Sequence, residues 1–274
     1  YALNYKMPHV LTLHGIPELD AKFTPGKANR LRSFILSKIE GFCRHRVKNL
    51  IIISKYLNDY LAAQITGHQW IIENPVSNTF FDATHSPQQN IFYAGMISKR
   101  KNILGLLQVF KLVHDRCPMA RLLIAGPASD PNYVAQCEAY ISENKLTDAV
   151  SFLGSLSPSE IKNILEISAC LVLLSFQETA PLIIGEAMAV GVPVVASNIG
   201  GIPYMIENSI TGYVVPPNDI VQTADRLLDI YENKELARSM GEKAQQSAQA
   251  RYHIDTITDK TLAVYEEIKS NWIP

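Results

Sequence analysis

A chain of 274 residues is long enough for two domains, and its 47% hydrophobic and 19% charged content is ordinary for a globular protein, not a disordered or fibrous one. A formal charge of −1 gives no general attraction to nucleic acid, and no apolar run approaches the roughly 18 residues of a membrane span. Cys43, Cys117, Cys137 and Cys170 are scattered without a Cys-x-x-Cys pair, which predicts reduced, buried thiols in a cytosolic protein.

Taken in chain order, Tyr1–Lys6 reads as the tail of a helix and Pro8–Leu13 as a strand. Arg30–Arg46 reads as a helix, Asn49–Ile53 as a strand, Tyr56–Ile65 as a helix and Trp70–Ile72 as a strand before Asn74-Pro75-Val76. That is three strands without a β-hairpin or an opening glycine-rich turn. The stretch Lys27–Lys48 carries Lys27, Arg30, Arg32, Lys38, Arg44, Arg46 and Lys48 against one acid, Glu40, and presents Leu31, Phe34, Ile35 and Ile39 as an apolar stripe. Such a helix could rest on anionic lipid, but the preferred reading is an ordinary surface helix packed by its stripe. Phe81–Gln89, polar and set between two strands, predicts a linker.

From there strand and helix alternate. Strands are predicted at Ile91–Ala94, Arg121–Ala125, Val150–Leu153, Cys170–Leu174, Val192–Ala196 and Tyr213–Val215. Helices are predicted at Ile103–Arg116, Asn132–Asn144, Pro158–Ser168, Leu182–Ala189, Pro203–Glu207 and Ile220–Asn233. Ser157-Pro-Ser-Glu160 is a capping box with proline at the first helical position. This alternation implies a doubly wound parallel sheet with right-handed crossovers. Helical stretches at Lys234–Gln249, Asp255–Leu262 and Val264–Ser270 end the chain.

The most informative segment is Glu178-Thr-Ala-Pro-Leu-Ile-Ile-Gly-Glu186. It follows a buried-strand pattern, so Glu178 is expected on the loop at the strand's carboxyl end. Pro181, whose fixed φ suits a helix start, is expected as the first helical residue, with Glu186 just over one turn in. Open α/β sheets bind ligands at this edge, and a helix N-terminus offers N–H groups and positive dipole to an anion. A phosphate at the amides near Pro181 and Leu182 would be flanked by two carboxylates, which accept hydrogen bonds from the paired hydroxyls of ribose or hexose. The arrangement points to a sugar nucleotide with its diphosphate at the helix tip. The alternative is a solvated Glu178 and an exposed Glu186.

Glu178-x7-Glu186 with Pro181-Leu182 inside it, and Glu186-Ala-Met-Ala-x-Gly-x-Pro-Val-Val195 after it, closely resembles the retaining glycosyltransferases of family 4, which have the GT-B fold. Phe92-Tyr-Ala-Gly95 followed by Lys101-Asn102 is similar to that family's first donor-domain strand and phosphate loop. Arg121–Pro127 is similar to its second strand, and Gly200–Pro203 and Thr211–Pro217 to later turns, so the likeness covers residues 8–270. It implies an α/β protein with two Rossmann-like domains facing a cleft. Residues 1–85 would be a partial acceptor-side domain, 86–252 a complete nucleotide-sugar-binding domain, and 253–274 a helix crossing back to the first. On this resemblance the chain is expected to lack roughly the first half of the acceptor domain, as a fragment or truncated gene product.

The resemblance also implies an activity. A sugar would pass from a nucleoside-diphosphate sugar to a saccharide or lipid-linked acceptor with retention of configuration, without metal or cofactor. His14 would contact the donor phosphate or the reacting sugar, Glu178 the sugar hydroxyls and Glu186 the ribose diol. Lys101 and the amides at Pro181 and Leu182 would meet the diphosphate, with Gly95, Arg100, Ala180 and Ile183 around them. Backbone near Phe152, Leu153 and Gly154 would meet the base. The expected setting is cytoplasmic, with polysaccharide or glycolipid assembly at the inner face of a bacterial membrane and peripheral contact through Lys27–Lys48.

A departing diphosphate needs positive charge. The sequence has no Asp-x-Asp to hold a metal, whereas Gly95-Met-Ile-Ser-Lys-Arg-Lys101-Asn102 supplies cations. The family usually has arginine directly after that glycine; this chain has Met96, which cannot hydrogen-bond a phosphate. Arg100 or Lys99 is the candidate substitute, unless both are a solvated loop pair. No Gly-x-Gly-x-x-Gly at a first strand–helix turn suggests a dinucleotide oxidoreductase, and no Gly-x4-Gly-Lys-Ser/Thr suggests a P-loop enzyme. A nonhydrolysing sugar-nucleotide epimerase shares the layout but does not account for Glu-x7-Glu. The remaining alternative is an inert nucleotide-sugar-binding remnant.

Overall fold

The structure, a computed structural model, describes residues 7–16, 19 and 27–272, with only the backbone of 27–30. The predicted helix tail at Tyr1–Lys6 and the side chains of Lys27 and Arg30 lie outside the described residues. In chain order the elements begin β1 (Leu11–Leu13), α1 (Lys27–Arg44), β2 (Asn49–Ile52), α2 (Lys55–Leu61), β3 (His68–Ile71), α3 (Asn78–Phe81), β4 (Asn90–Ala94) and α4 (Ile103–Arg116). They continue β5 (Arg121–Ala125), α5 (Pro131–Glu143), β6 (Val150–Gly154), α6 (Pro158–Glu166), β7 (Ser168–Leu173), α7 (Leu182–Val190) and β8 (Val194–Ser197). Last come α8 (Ile202–Met205), β9 (Gly212–Val215), α9 (Ile220–Glu232), α10 (Lys234–Tyr252) and α11 (Ile254–Ser270).

The chain divides into two units, one of residues 1–75 and 251–274, the other of residues 76–250. The first holds a parallel sheet in the order β1-β2-β3, with Leu50 opposite Leu11 and Gln69. Ile257, Val264 and Ile268 of α11 bury against Ile51 and Ile72, so this helix covers one face of that sheet. The two final helices predicted from sequence are one continuous helix, since no glycine or proline interrupts Ile254–Ser270. Arg251 donates to Glu73 through Nε at 3.1 Å and so ties the start of that closing segment to the strand region.

The apolar stripe of α1 is not packed. Leu31, Phe34, Ile35 and Ile39 are 60%, 58%, 49% and 56% exposed, contrary to the surface-helix reading. Arg44, by contrast, is buried and paired with Glu40 at 3.2 Å.

The second unit has six parallel strands in the order β6-β5-β4-β7-β8-β9. The chain steps outward from β4 through β5 to β6, returns to the other side of β4, and steps outward again through β7, β8 and β9. Helices on both faces of a parallel sheet demand continuous apolar strands. Ile91–Tyr93, Leu171–Leu173 and Val194–Ala196 meet that demand, all without solvent exposure. The capping box at α6 forms as predicted, with Ser157 and Glu160 exchanging side-chain and backbone bonds.

The division between units falls at Pro75/Val76, ahead of Phe81–Gln89. That polar stretch is fastened inside the second unit: Phe80 of α3 is buried, α3 lies against α6 and α7, and Ser86 N–H donates to Glu166 O at 2.8 Å. No helix among the described residues is long and apolar enough to cross a membrane.

Candidate functional site

The strand order reverses at β4, whose neighbours are β5 on one side and β7 on the other. Loops leaving such a switch point diverge and open a crevice at the carboxyl edge of the sheet. The loop after β4 is tightly held. Gly95 N–H donates to Ala125 O at 2.9 Å, and the buried Tyr93 hydroxyl donates to Met96 O at 3.0 Å. Lys99–Lys101 form a single 3₁₀ turn that stops at Asn102, whose left-handed backbone (φ 55°, ψ 45°) suits asparagine. Asn102 Oδ1 then accepts from Gly105 N–H at 3.3 Å and caps α4.

This turn brings two predicted site residues to a third across the switch point. Lys101 Nζ donates to Glu178 Oε1, and Ser175 Oγ donates to the same oxygen at 2.7 Å. The Arg100 guanidinium lies 3.9 Å from Glu178 Oε2 and donates to Gln177 O at 2.8 Å. Phe176 N–H donates to Arg100 O at 2.8 Å, which joins the two loops through backbone as well. The Glu178 side chain is 8% exposed and that of Lys101 12%. Glu178 is therefore a buried, twice-bonded carboxylate beside two cations, not a solvated loop residue. Of the two proposed substitutes for the missing arginine, Arg100 is in the cluster, whereas Lys99 is exposed; Met96 is 46% exposed.

The backbone beyond Glu178 is pinned by the Gly200-Gly201 turn. Gly201 N–H donates to Glu178 O at 3.1 Å. Gly200 has φ +51°, and a Cβ there would stand 1.9 Å from Glu178 O; at Gly201 it would stand 1.7 Å from Thr179 O. Only glycine allows this approach.

Pro181 caps α7 with φ −68° and ψ 115°, so the helix starts at Leu182, as its predicted range has it, and Pro181 is the cap and not the first helical residue. Proline also has no N–H, so the donors at this tip are Leu182 and Ile183, not Pro181. Ala180 and Ile183 are half-buried beside it. Glu186, the fifth residue of α7, is half-buried with no hydrogen-bond or ion-pair partner among the described residues. Burial pushes its carboxyl up to about 7. Burial, then the nearby Glu178 charge, drives the Tyr93 phenol well above its ordinary range.

Phe152 and Leu153 are half-buried on β6, the edge strand, where Gly126 N–H donates to Gly154 O at 2.7 Å. His14 follows β1, is exposed, and belongs to the other unit. The cluster thus unites Arg100, Lys101 and Glu178, with Ala180–Glu186 following along the chain. Sequence reasoning missed Ser175 and Tyr93. Ser175 stands three residues before Glu178 at a strand end, a spacing at which a hydroxyl can reach back. No group of three or more His, Cys, Asp or Glu able to hold a metal occurs among the described residues. Two cations and a helix tip suit an anion, and two carboxylates suit a polyol.

Residues 78–247 match the family model of the glycosyl transferases group 1. N-acetyl-alpha-D-glucosaminyl L-malate synthase of Bacillus anthracis is 29% identical over 170 residues, which are 62% of this chain and 43% of that protein. Among solved structures, sucrose-phosphate synthase from Thermosynechococcus elongatus aligns with a TM-score of 0.83 at 21% identity, covering 98% of this chain and 70% of that one. Anabaena HepE in complex with UDP and glucose aligns with a TM-score of 0.77 at 19% identity, covering 94% of this chain and 71% of that one. The chain spans less than half the length of several curated relatives that it matches, with 43%, 45% and 48% covered.

Proposed function

The chain belongs to the glycosyl transferases group 1 family, and from that membership we propose that it serves transfer of a hexose-type sugar from a nucleoside-diphosphate sugar to a saccharide or lipid-linked acceptor. The observation that carries this reading is the Lys101–Glu178–Arg100 cluster at the switch point beside the tip of α7. Lys101 and Arg100 would meet the diphosphate with the N–H groups of Leu182 and Ile183, supplying fixed positive charge where negative charge develops. Lys101 carries three donors and can bind a phosphate oxygen while keeping Glu178. Glu178, held by Ser175, would accept from sugar hydroxyls, and Glu186 from the ribose diol. The base would lie along the backbone of Phe152 and Leu153.

Retention of configuration and independence of metal are part of the same proposal. The cluster's cations support metal independence, since they can meet the charge of the leaving group; retention is assigned by resemblance. His14 is assigned to the reacting sugar or donor phosphate by resemblance. HepE is described in complex with UDP and glucose, which supports the choice of donor class. A cytoplasmic setting with peripheral lipid contact is proposed for α1, whose bare Leu31, Phe34, Ile35 and Ile39 accompany Arg32 and Lys38.

Calorimetric titration with uridine, guanosine and adenosine diphosphate sugars, alongside an assay for released nucleoside diphosphate, tests the reading. Binding that is lost in Lys101→Ala, with turnover, supports it; no binding of any donor overturns it. Met96, apolar and exposed in the loop that carries the cations, favours a second reading, an inert nucleotide-sugar-binding remnant. Binding without release would select that one.

A further inference from the structure

We propose that the first unit carries a separate binding site for an acidic saccharide, at the opposite edge of its sheet from His14. A cavity of about 480 Å³ is lined by Trp70, Trp272, His68, Asn49, Arg46 and Glu267, all within residues 1–75 and 251–274. Asn49 and His68 are opposite one another as the first residues of β2 and β3, so the cavity opens at the amino ends of the strands. His14 follows the carboxyl end of β1. The volume is in the range of small-ligand sites.

The lining has the two kinds of group that a pyranose needs. A sugar ring has an apolar C–H face that settles on an aromatic plane and a rim of hydroxyls that require hydrogen bonds. The chain has two tryptophans, and both line this one cavity. Trp70 is set in place: its Nε1–H donates to Glu267 Oε2 at 3.2 Å, and the His68 ring lies 4.2 Å from its own. Trp272 leaves 39% of its surface exposed, so part of its ring is open to a ligand. Glu267 uses one hydrogen bond of the several that a carboxylate accepts, and Asn49 Nδ2 is fixed on His9 O at 3.1 Å, which orients its amide. Arg46 and Lys48 outnumber Glu267 among the charged lining groups, so an acidic sugar is favoured over a neutral one.

Because both tryptophans line the cavity, tryptophan emission of the whole chain reports on it. Titrating the 274-residue chain with tetragalacturonate, and in parallel with maltotetraose, chitotetraose and uridine diphosphate, tests the proposal. The expected result is an emission change with tetragalacturonate, weakened by salt, with binding tighter than for the neutral chains. Trp272→Ala and Arg46→Gln should each weaken tetragalacturonate binding about tenfold by calorimetry, with thermal unfolding unchanged. Trp272 and Arg46 are surface positions, whereas Trp70 touches the core and is left intact. The proposal fails if tetragalacturonate does not bind, if the neutral chains or uridine diphosphate bind here as tightly, or if binding survives Trp272→Ala undiminished.

Discussion

Glu186 makes the most quantitative prediction. Its carboxyl rises by burial from 4.5 to about 7 in the folded protein. Between those values the folded state keeps a proton that the unfolded chain gives up, so stability falls as pH rises through the window. Above about 7 the whole penalty is present, and the gap corresponds to about 3 kcal/mol at 1.36 kcal/mol per pH unit, an upper figure for a half-buried group. Glu186→Gln keeps the shape and removes the charge. The variant should exceed wild type by up to about 3 kcal/mol in chemical denaturation at about pH 8, and approach parity near pH 5. On the proposed assignment of Glu186 to the ribose diol, a bound donor would reverse the sign, because the diol would donate to the ionised carboxylate. Affinity for a nucleoside-diphosphate sugar should therefore rise as pH passes about 7, and calorimetry near that pH should record proton release on binding. The donor is preferable to the free diphosphate, whose terminal phosphate titrates in the same range. A wild-type-to-variant stability gap that is equal at both pH values refutes the reasoning about burial; pH-independent donor binding refutes the contact with the diol.

Three further substitutions probe the cluster. Lys101→Met leaves Glu178 buried with the Ser175 hydroxyl and the more distant Arg100, and should cost about 1–3 kcal/mol in denaturation; adding Glu178→Gln should recover much of that loss, which a double-mutant cycle reads directly. Gly200→Ala forces a Cβ to within 1.9 Å of Glu178 O at φ +51°, so sugar transfer should fall further than nucleotide affinity, measured as turnover against calorimetric binding. Met96→Arg adds a cation beside the proposed diphosphate position and should tighten binding of a nucleoside diphosphate about tenfold, while Arg100→Ala should weaken it by a similar factor.

How far the sequence discloses such a site depends on whether the deciding contact is local or crosses the sheet. The helix spanning Ile103–Arg116 and the capping box at Ser157 rest on periodicity and caps within a few residues, and they form as read. Glu178 and Glu186 are legible because the strand before them and the helix after them are. The partnership of Lys101 with Glu178 joins residues 77 positions apart, and it depends on β4 lying beside β7, a neighbour that the chain reaches only after β5 and β6. Local pattern cannot supply that order; the doubly wound rule can, because it makes the loops after the first and fourth strands of the sheet flank one crevice. Assigning Lys101 to phosphate and Glu178 to sugar treats them as independent, whereas the fold makes each the other's counterion. The missed Ser175 follows from the same contact, since a carboxylate drawn into the crevice by Lys101 comes within reach of the hydroxyl three residues earlier. On α1 the local pattern misleads in the opposite direction: its stripe is helical in spacing, but whether an apolar face is buried depends on the surface opposite, which spacing does not disclose, and Leu31, Phe34, Ile35 and Ile39 stay exposed.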